Sequence, residues 1–278
     1  MEYVTFNNGV KMPLVGFGTF RTTGEECRDA VLCAIRTGYR MIDTAQGYRN
    51  EEFVGEAIRT CGVPRDELFI TTKVNYSSFE NARAAVEESL VKLGSDYVDL
   101  VLLHWPFGNI YAAWRALEAM YKEGKIRAIG VSNFEPDRFI DLCAFNEIVP
   151  AVNQVEMNVL CQRKTEREWM AQYGIAPEAY APLGQGKRDE MFALPAVAAA
   201  AQAHGKTPAQ IILRYLVELG VAVIPKSTHP ERIAENFALF DFALTDEEKA
   251  ALAAADTATA LVGNPERPET ALRFVGKK

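Results

Sequence analysis

The chain has 278 residues, of which 49% are hydrophobic and 24% charged, and its formal net charge is −7. This composition is typical of a globular protein with a sizeable core. An acidic chain without a long basic run is a poor partner for nucleic acid or an anionic membrane, and no apolar run of about 18 residues is present. We therefore expect neither nucleic acid nor a membrane as a partner.

Cysteine and histidine usage restricts the chemistry further. The five cysteines are scattered without a CxxC pair, and no signal peptide is recognisable, which predicts reduced thiols and a cytoplasmic location. The three histidines, His104, His204 and His229, form neither an HxH pair nor an HExxH motif. We expect no metal site, because a histidine-based ligand cluster cannot be built from these positions.

The first dozen residues predict a β-hairpin, with strand-like segments on either side of Asn7-Asn8-Gly9. Eight short apolar segments after the hairpin predict strands: Leu14–Gly18, Tyr39–Asp43, Leu68–Val74, Val98–His104, Ile126–Val131, Ala151–Val155, Ile175–Tyr180 and Val221–Ile224. Several of them are almost continuously apolar, as expected of parallel strands that are covered on both faces.

Amphipathic segments between these strands predict helices near residues 25–36, 51–60, 79–93, 110–123, 136–145, 164–172 and 208–219. A further helix begins near Pro230, and an alanine-rich run at 196–203 has helical character. Capping patterns begin at Thr207 and Thr245. Glycines at helix-stop positions follow four of the helical segments: Gly38, Gly94, Gly124 and Gly220.

Eight strands that alternate with helices predict an α/β fold, a (β/α)8 TIM barrel in one domain over residues 1–278, with the N-terminal hairpin closing its base. A doubly wound sheet is the main alternative. It should carry a GxGxxG fingerprint after its first strand, and the residues after Gly16-Phe17-Gly18 do not complete one. The barrel is therefore favoured.

Four polar residues stand at or just after the ends of successive predicted strands: Asp43, Tyr48, Lys73 and His104. In a TIM barrel the chemistry takes place at the C-terminal ends of the strands, so these side chains should meet there. A phenol, an ammonium, a carboxylate and an imidazole are the groups needed to protonate an oxygen at neutral pH. We expect Lys73 to lower the pKa of Tyr48, Asp43 to balance the charge of Lys73, and His104 to orient the reacting oxygen.

These residues and their contexts resemble the aldo-keto reductase family, in particular bacterial, short-loop members similar to 2,5-diketogluconate reductases. The resemblance extends from Gly16-Phe17-Gly18-Thr19 to Asn236-Phe237. Independent motifs occur in the family's order: Asp43-Thr44-Ala45 with Tyr48, Lys73, His104-Trp105-Pro106, Gly130-Val131-Ser132-Asn133-Phe134, Asn153-Gln154-Val155-Glu156, Tyr180-Ala181-Pro182-Leu183-Gly184 and Ile224-Pro225-Lys226-Ser227.

The resemblance implies NADPH-dependent reduction of an aldehyde or ketone, with Tyr48 as the general acid and hydride delivered from the nicotinamide C4. It also implies a set of residues that bind NADPH or NADP: Thr19, Ser132, Asn133, Gln154, Tyr180, Leu183, Lys226, Ser227, Arg232, Glu235 and Asn236. Within this set, Lys226, Ser227 and Arg232 match the pocket for the adenosine 2′-phosphate. Two local cations are also what an acidic chain needs in order to bind a phosphate.

Several positions depart from the family's pattern, notably Phe20, where tryptophan is frequent, and Val74-Asn75 after Lys73. Phe20 and Trp105 are the predicted walls of the substrate pocket. Short segments after Trp105-Pro106 and after residue 256 predict an open, shallow pocket for a small-molecule carbonyl compound. The physiological substrate is left open, and the resemblance implies a monomer.

Two other functions remain as alternatives. A non-catalytic binding protein on the same fold would tolerate loss of the Tyr48 hydroxyl, whereas a reductase would not. A barrel isomerase or aldolase would use Lys73 to form a Schiff base with its substrate.

Overall fold

The computed structural model describes residues 2–275. A two-stranded antiparallel hairpin opens the chain, with β1 at Tyr3–Thr5 and β2 at Lys11–Pro13. Gly9 in the connecting turn has φ +85°, a conformation that glycine adopts without strain. The hairpin therefore forms where the Asn-Gly turn predicts it.

Eight parallel strands follow, and each pairs with the next along the chain. They are β3 (Phe17–Gly18), β4 (Met41–Asp43), β5 (Phe69–Val74), β6 (Val98–Leu103), β7 (Ile126–Ser132), β8 (Val152–Glu156), β9 (Ala176–Tyr180) and β10 (Ala222–Val223). The sheet closes on itself through a parallel bridge between Val15 and Val223. The backbone N–H of Gly16 donates to Val223 O at 2.9 Å across this seam. The predicted (β/α)8 barrel is confirmed.

Within the described residues, helices lie outside the sheet; those between Gly24 and Glu218 connect the strands, and the others follow β10. The helices are α1 (Gly24–Thr37), α2 (Glu51–Thr60), α3 (Ala82–Leu93), α4 (Ile110–Lys122), α5 (Pro136–Ala144), α6 (Lys164–Gln172), α7 (Arg188–Phe192), α8 (Pro195–His204), α9 (Pro208–Glu218), α10 (Pro230–Phe237), α11 (Asp246–Ala253) and α12 (Pro268–Val275). Among the helices of residues 2–275, none combines the length and apolarity that a bilayer crossing requires.

The helix boundaries follow the capping signals in the sequence. Thr207 and Thr245 both form complete capping boxes, with their hydroxyls accepting from the N–H groups of Gln210 and Glu248. The helix predicted near 79–93 begins later, at Ala82, because residues 76–81 form a 3-10 turn. The short helices α7 and α12 lie outside the predicted segments, since neither carries a long apolar periodicity.

The hairpin packs against the N-terminal ends of the barrel strands. Phe6 is only 4% exposed, and its ring meets the ring of Phe69, the first residue of β5, at 6.1 Å. The side chain of Asn7 donates to Pro150 O at 3.1 Å, and that of Asn8 donates to Arg127 O at 3.0 Å. The hairpin thus closes the base, and the opposite end of the barrel is left for the functional site.

We expect Phe6→Ala to lower the free energy of unfolding by about 3 kcal/mol, because it removes a buried aromatic side chain from the base of the barrel. Tyr3→Ala is the matched control on the same hairpin: Tyr3 is 52% exposed, and its loss should cost about 0.5 kcal/mol or less. Denaturant unfolding at equilibrium measures both values. Equal losses in the two variants would contradict the inward packing of Phe6.

Candidate active site

The four polar residues that the sequence places at strand ends meet at the C-terminal end of the barrel. Asp43 is the last residue of β4, and Tyr48 ends the 3-10 turn that follows it. Lys73 lies on β5, and His104 directly follows β6. Because neighbouring parallel strands end at the same edge of the barrel, residues far apart in sequence come into contact.

Lys73 is the centre of this group, and its side chain is fully buried. Its Nζ donates to Asp43 Oδ1 at 2.5 Å, to Thr44 O at 3.0 Å and to Tyr48 Oη at 3.2 Å. An ammonium has three N–H donors, so every one of them has an acceptor. The Tyr48 hydroxyl accepts from Lys73, and its own proton is therefore free for another acceptor.

Burial and the neighbouring charges have opposing effects on the pKa values of Lys73 and Tyr48. Burial lowers the pKa of Lys73, but the negative charge of Asp43, the neighbouring Tyr48 and the hydrogen bond to Asp43 together outweigh burial and hold this pKa above its ordinary value. Burial raises the pKa of Tyr48, and the nearby charge of Lys73 offsets only part of that effect. Lys73 therefore lowers the pKa of Tyr48 as expected, but desolvation of the phenolate is the larger effect, and the net pKa lies above its ordinary value.

His104 lies beside the phenol, with its ring centroid 5.7 Å from that of Tyr48. Burial, with a smaller effect from the charge of Lys73, lowers the pKa of His104 to about 3. A neutral imidazole has one N–H donor, so His104 can donate a hydrogen bond without carrying a charge. Phe20 contacts Tyr48 at a centroid distance of 5.0 Å and is 41% exposed, which places it at the entrance to the site.

A second group of predicted residues forms a hydrogen-bonded chain beside this cluster. The side-chain amide of Asn133 donates to His104 O and to Ser132 Oγ, both at 3.1 Å. The Tyr180 hydroxyl donates to Asn133 Oδ1 at 2.8 Å. Ser132 Oγ in turn donates to Gln154 O at 2.8 Å. Four of the predicted cofactor-binding residues are therefore brought together on β7, β8 and β9: Ser132, Asn133, Gln154 and Tyr180.

Gln154 connects this chain to two carboxyl groups. Its Nε2 donates to Asp43 Oδ2 at 2.8 Å and to Glu178 Oε2 at 3.0 Å. Burial raises the pKa of Glu178 to about 8, and the negative charge of Asp43 adds to the effect. The sequence reasoning missed Glu178, although a glutamate within a buried strand, two residues before Tyr180 and thus on the same face, is a detectable signal.

Thr19 supports the backbone of Asp43. Its N–H and its hydroxyl both donate to Asp43 O, at 3.1 Å and 2.9 Å. The buried side chain of Asn50 donates to Thr19 O at 2.9 Å and accepts from the Thr44 hydroxyl at 2.6 Å. These contacts fix the strand end that carries Asp43, a role for Asn50 that the sequence reasoning did not identify.

The residues matched to the adenosine end of the cofactor lie after β10 and on α10. Lys226 and Arg232 are exposed, and within residues 2–275 neither forms an ion pair. Ser227 Oγ accepts from the N–H of His229 at 3.1 Å. Two uncommitted cations within one loop and helix are suited to a phosphate group.

The remaining predicted cofactor residues are partly engaged within the protein. Glu235 Oε1 accepts from the Thr207 hydroxyl at 2.8 Å. Asn236 is buried on α10, and Leu183 is half-buried in the loop after β9. This loop contains Gly184 and Gly186 at positive φ, which allows it a sharp change of direction.

The C-terminal segment reaches back to the site, although it is short. The buried carboxylate of Glu156 accepts from the N–H groups of Leu261, Val262 and Gly263 at 2.6, 2.9 and 3.2 Å. The Phe274 ring on α12 packs against the Trp105 ring at a centroid distance of 4.4 Å. Sequence reasoning assigned no role to Glu156 or Phe274, because these contacts join segments about 100 residues or more apart.

An aromatic wall therefore borders the site on the side of β6. Its rings are those of Trp105, Phe107, Phe274 and Tyr76, with centroid distances of 4.4 to 6.1 Å between neighbours. Within residues 2–275 no cluster of three or more histidine, cysteine or acidic side chains is arranged to hold a metal ion. The site offers apolar walls, one phenol and a neutral imidazole to a ligand.

Comparison with known proteins gives a consistent result. Residues 14–257 match the sequence profile of the aldo/keto reductase family. The chain is 43% identical to morphine 6-dehydrogenase of Pseudomonas putida over 96% of this chain and 95% of that protein. An aldo-keto reductase from a Medee basin deep-sea metagenome library superposes with a TM-score of 0.93 at 40% identity, covering 95% of this chain and 98% of the other.

A structure of a Bombyx mori aldo-keto reductase in complex with NADP superposes with a TM-score of 0.88. The two sequences are 36% identical, and the match covers 94% of this chain and 95% of that one. The barrel of this chain therefore has a relative in which the same fold holds a nicotinamide cofactor.

We expect the imidazole of His104 to stay neutral between about pH 5 and pH 8, because its folded pKa lies well below the ordinary value of about 6.5. As the pH falls from about 6.5 toward 3, the unfolded chain gains a proton at His104 that the folded protein does not, so acidification destabilises the fold through this group. Histidine NMR measures this, with His104→Gln identifying the signal. An inflection of the His104 signal near pH 6.5 would contradict neutrality.

Proposed function

Because this chain belongs to the aldo/keto reductase family, we propose that it uses NADPH to reduce an aldehyde or ketone to an alcohol, with Tyr48 as the proton donor. The observation that carries the proposal is the triple contact of the Lys73 ammonium with Asp43, Thr44 and Tyr48. It holds a phenol hydroxyl, with its proton uncommitted, beside a neutral imidazole at the end of a barrel.

The side chains present fit the two ends of NADPH. Ser132, Asn133 and Gln154 offer hydroxyl and amide groups of the kind that bind a carboxamide, and Tyr180 offers a ring for stacking. Lys226 and Arg232 offer cations without acidic partners in the described residues, which suits a 2′-phosphate. When bound, NADPH supplies the hydride that the carbonyl carbon accepts.

The protein's own contribution is the proton. Tyr48 donates its hydroxyl proton to the carbonyl oxygen as negative charge develops there. The phenolate that remains is stabilised by the Lys73 ammonium at 3.2 Å, and Asp43 keeps that ammonium charged and in position. His104 donates its N–H to the same oxygen and so fixes the orientation of the carbonyl group.

The same geometry argues against Lys73 as a Schiff-base nucleophile. An amine must lose its proton before it attacks a carbonyl carbon. Asp43 raises the pKa of Lys73 despite the opposing effect of burial, and all three N–H donors are engaged. We therefore favour proton transfer by Tyr48 over covalent catalysis by Lys73.

Tyr48→Phe should lower kcat/KM for NADPH-dependent carbonyl reduction by about 10²- to 10⁴-fold, the range expected for loss of a general acid. NADPH binding, followed by protein fluorescence, should change little, since the ring is retained. Tyr76→Phe is the control, because Tyr76 contributes a ring to the aromatic wall and its loss of a hydroxyl should leave the rate within about twofold. A fully active Tyr48→Phe variant would contradict the proposal.

Lys226→Ala and Arg232→Ala should each weaken NADPH binding by about 10- to 100-fold, since each removes a charge-assisted hydrogen bond to the 2′-phosphate. The affinity for NADH should change by less than about twofold, because NADH lacks that phosphate. Parallel fluorescence titrations with the two nucleotides measure the difference. Lys122→Ala, on an exposed lysine paired with Glu147, is the control. Equal losses for NADPH and NADH would show that these cations do not contact the 2′-phosphate.

A further inference from the structure

A second carboxyl group lies beside the Asp43–Lys73 pair, and the proposed proton transfer makes no use of it. Glu178 on β9 is fully buried. Gln154 Nε2 donates to Glu178 Oε2 at 3.0 Å and to Asp43 Oδ2 at 2.8 Å. Two carboxyl groups therefore share one amide group in a region from which water is excluded.

The charges in this region do not balance if both carboxyl groups are ionised. The titratable groups that act on Glu178 are Asp43 from β4, Lys73 from β5 and Tyr48 from the turn after β4. Its neighbours on β8 and β10 are the uncharged Gln154 and Ala222. One ammonium can balance one carboxylate, and Lys73 contacts Asp43 at 2.5 Å.

The charge balance favours a protonated, neutral Glu178, and the hydrogen bonding of Glu178 favours the same form. Within the described chain, its Oε1 is buried and has no hydrogen-bond partner. An ionised oxygen without a partner costs far more free energy in a buried site than a protonated one does. The upward shift of the Glu178 pKa to about 8, caused first by burial and then by the charge of Asp43, agrees with this assignment.

We propose that Glu178 is a positioning residue that works as a neutral carboxylic acid, orienting the amide of Gln154 and keeping a second negative charge away from Tyr48. The inference rests on the proposed reductase function and deepens it.

Orientation of Gln154 is the first consequence. Because two oxygen acceptors bind its NH₂ group, the amide cannot flip without placing its own carbonyl oxygen against both of them. The carbonyl oxygen of Gln154 therefore faces away from Asp43 and Glu178. It remains an acceptor for an N–H group of the kind that a carboxamide offers.

Control of Tyr48 is the second consequence. Loss of the Glu178 proton adds a negative charge near the phenol, and this charge raises the pKa of Tyr48 further. A phenol with a higher pKa is a weaker proton donor. Reduction should therefore slow as the pH rises through the pKa of Glu178, before Tyr48 itself loses its proton.

The protonation of Glu178 can be measured without any activity. Carbon-13 NMR of protein labelled at the glutamate carboxyl carbons should show one group that titrates near pH 8. This signal should be absent in Glu178→Gln and present in the control Glu147→Gln, whose carboxylate is exposed and paired with Lys122. Loss of the Glu178 proton near pH 4.5, or no signal that depends on Glu178, would overturn the proposal.

The effect on Tyr48 is measured by the pH dependence of kcat/KM in the same three proteins. Wild type and Glu147→Gln should lose about tenfold in kcat/KM between pH 7 and pH 9 and then level off, because ionised Glu178 weakens the phenol as an acid without removing its proton. Glu178→Gln, which keeps an acceptor for Gln154 but cannot ionise, should stay within about threefold of wild type at pH 7 and keep its rate to higher pH. An unchanged decline in Glu178→Gln would overturn the proposal.

The two proposals fail in different ways. If the wild type does not reduce carbonyl compounds with NADPH, the proposed function fails, and the NMR titration still decides whether Glu178 is protonated. If reduction occurs and Glu178 titrates as an ordinary carboxylate, the function stands and the role assigned to Glu178 is wrong.

Discussion

The buried ion pair between Lys73 and Asp43 is the interaction on which the rest of the site depends. A buried ammonium is tolerated only when it is paired and all of its N–H groups are hydrogen-bonded, and Lys73 meets both conditions. The same contacts that satisfy the charge also place it against the Tyr48 hydroxyl. The three hydrogen bonds of Lys73 therefore both stabilise the ion pair and hold the ammonium against the Tyr48 hydroxyl. Removing Lys73 would leave Asp43 as an uncompensated buried charge.

The barrel makes this arrangement possible by separating its two ends. The hairpin packs Phe6 over the base, and the polar side chains of the site lie at the C-terminal ends of the strands. There, Asn133 donates to the backbone oxygen of His104 and Gln154 donates to Asp43. The amide groups suited to a cofactor are thus hydrogen-bonded to the residues around Tyr48. Hydrogen bonds within the protein thus hold these side chains in position, which reduces the free energy that binding must supply for ordering.

Much of this architecture is predictable from the sequence. Eight apolar segments, helix caps such as Thr207 and the polar residues at strand ends predict the barrel and the meeting of Tyr48 with Lys73, because those features are local. The upward shift of the Tyr48 pKa is not predictable in that way, since it depends on how deeply the phenol is buried. Nor are the contacts of Glu156 with the C-terminal segment or the sharing of Gln154 by Asp43 and Glu178, which depend on tertiary packing.

A double-mutant cycle on Tyr48 and Lys73 tests most directly whether the two residues act as one unit. It compares kcat/KM for NADPH-dependent carbonyl reduction in Tyr48→Phe, Lys73→Met and the double variant, each checked for folding by circular dichroism. If Lys73 acts through the phenol, the double variant should be no slower than the slower single variant. Losses that multiply would show that Lys73 acts independently of Tyr48, and would contradict a proton donor that depends on the buried ion pair.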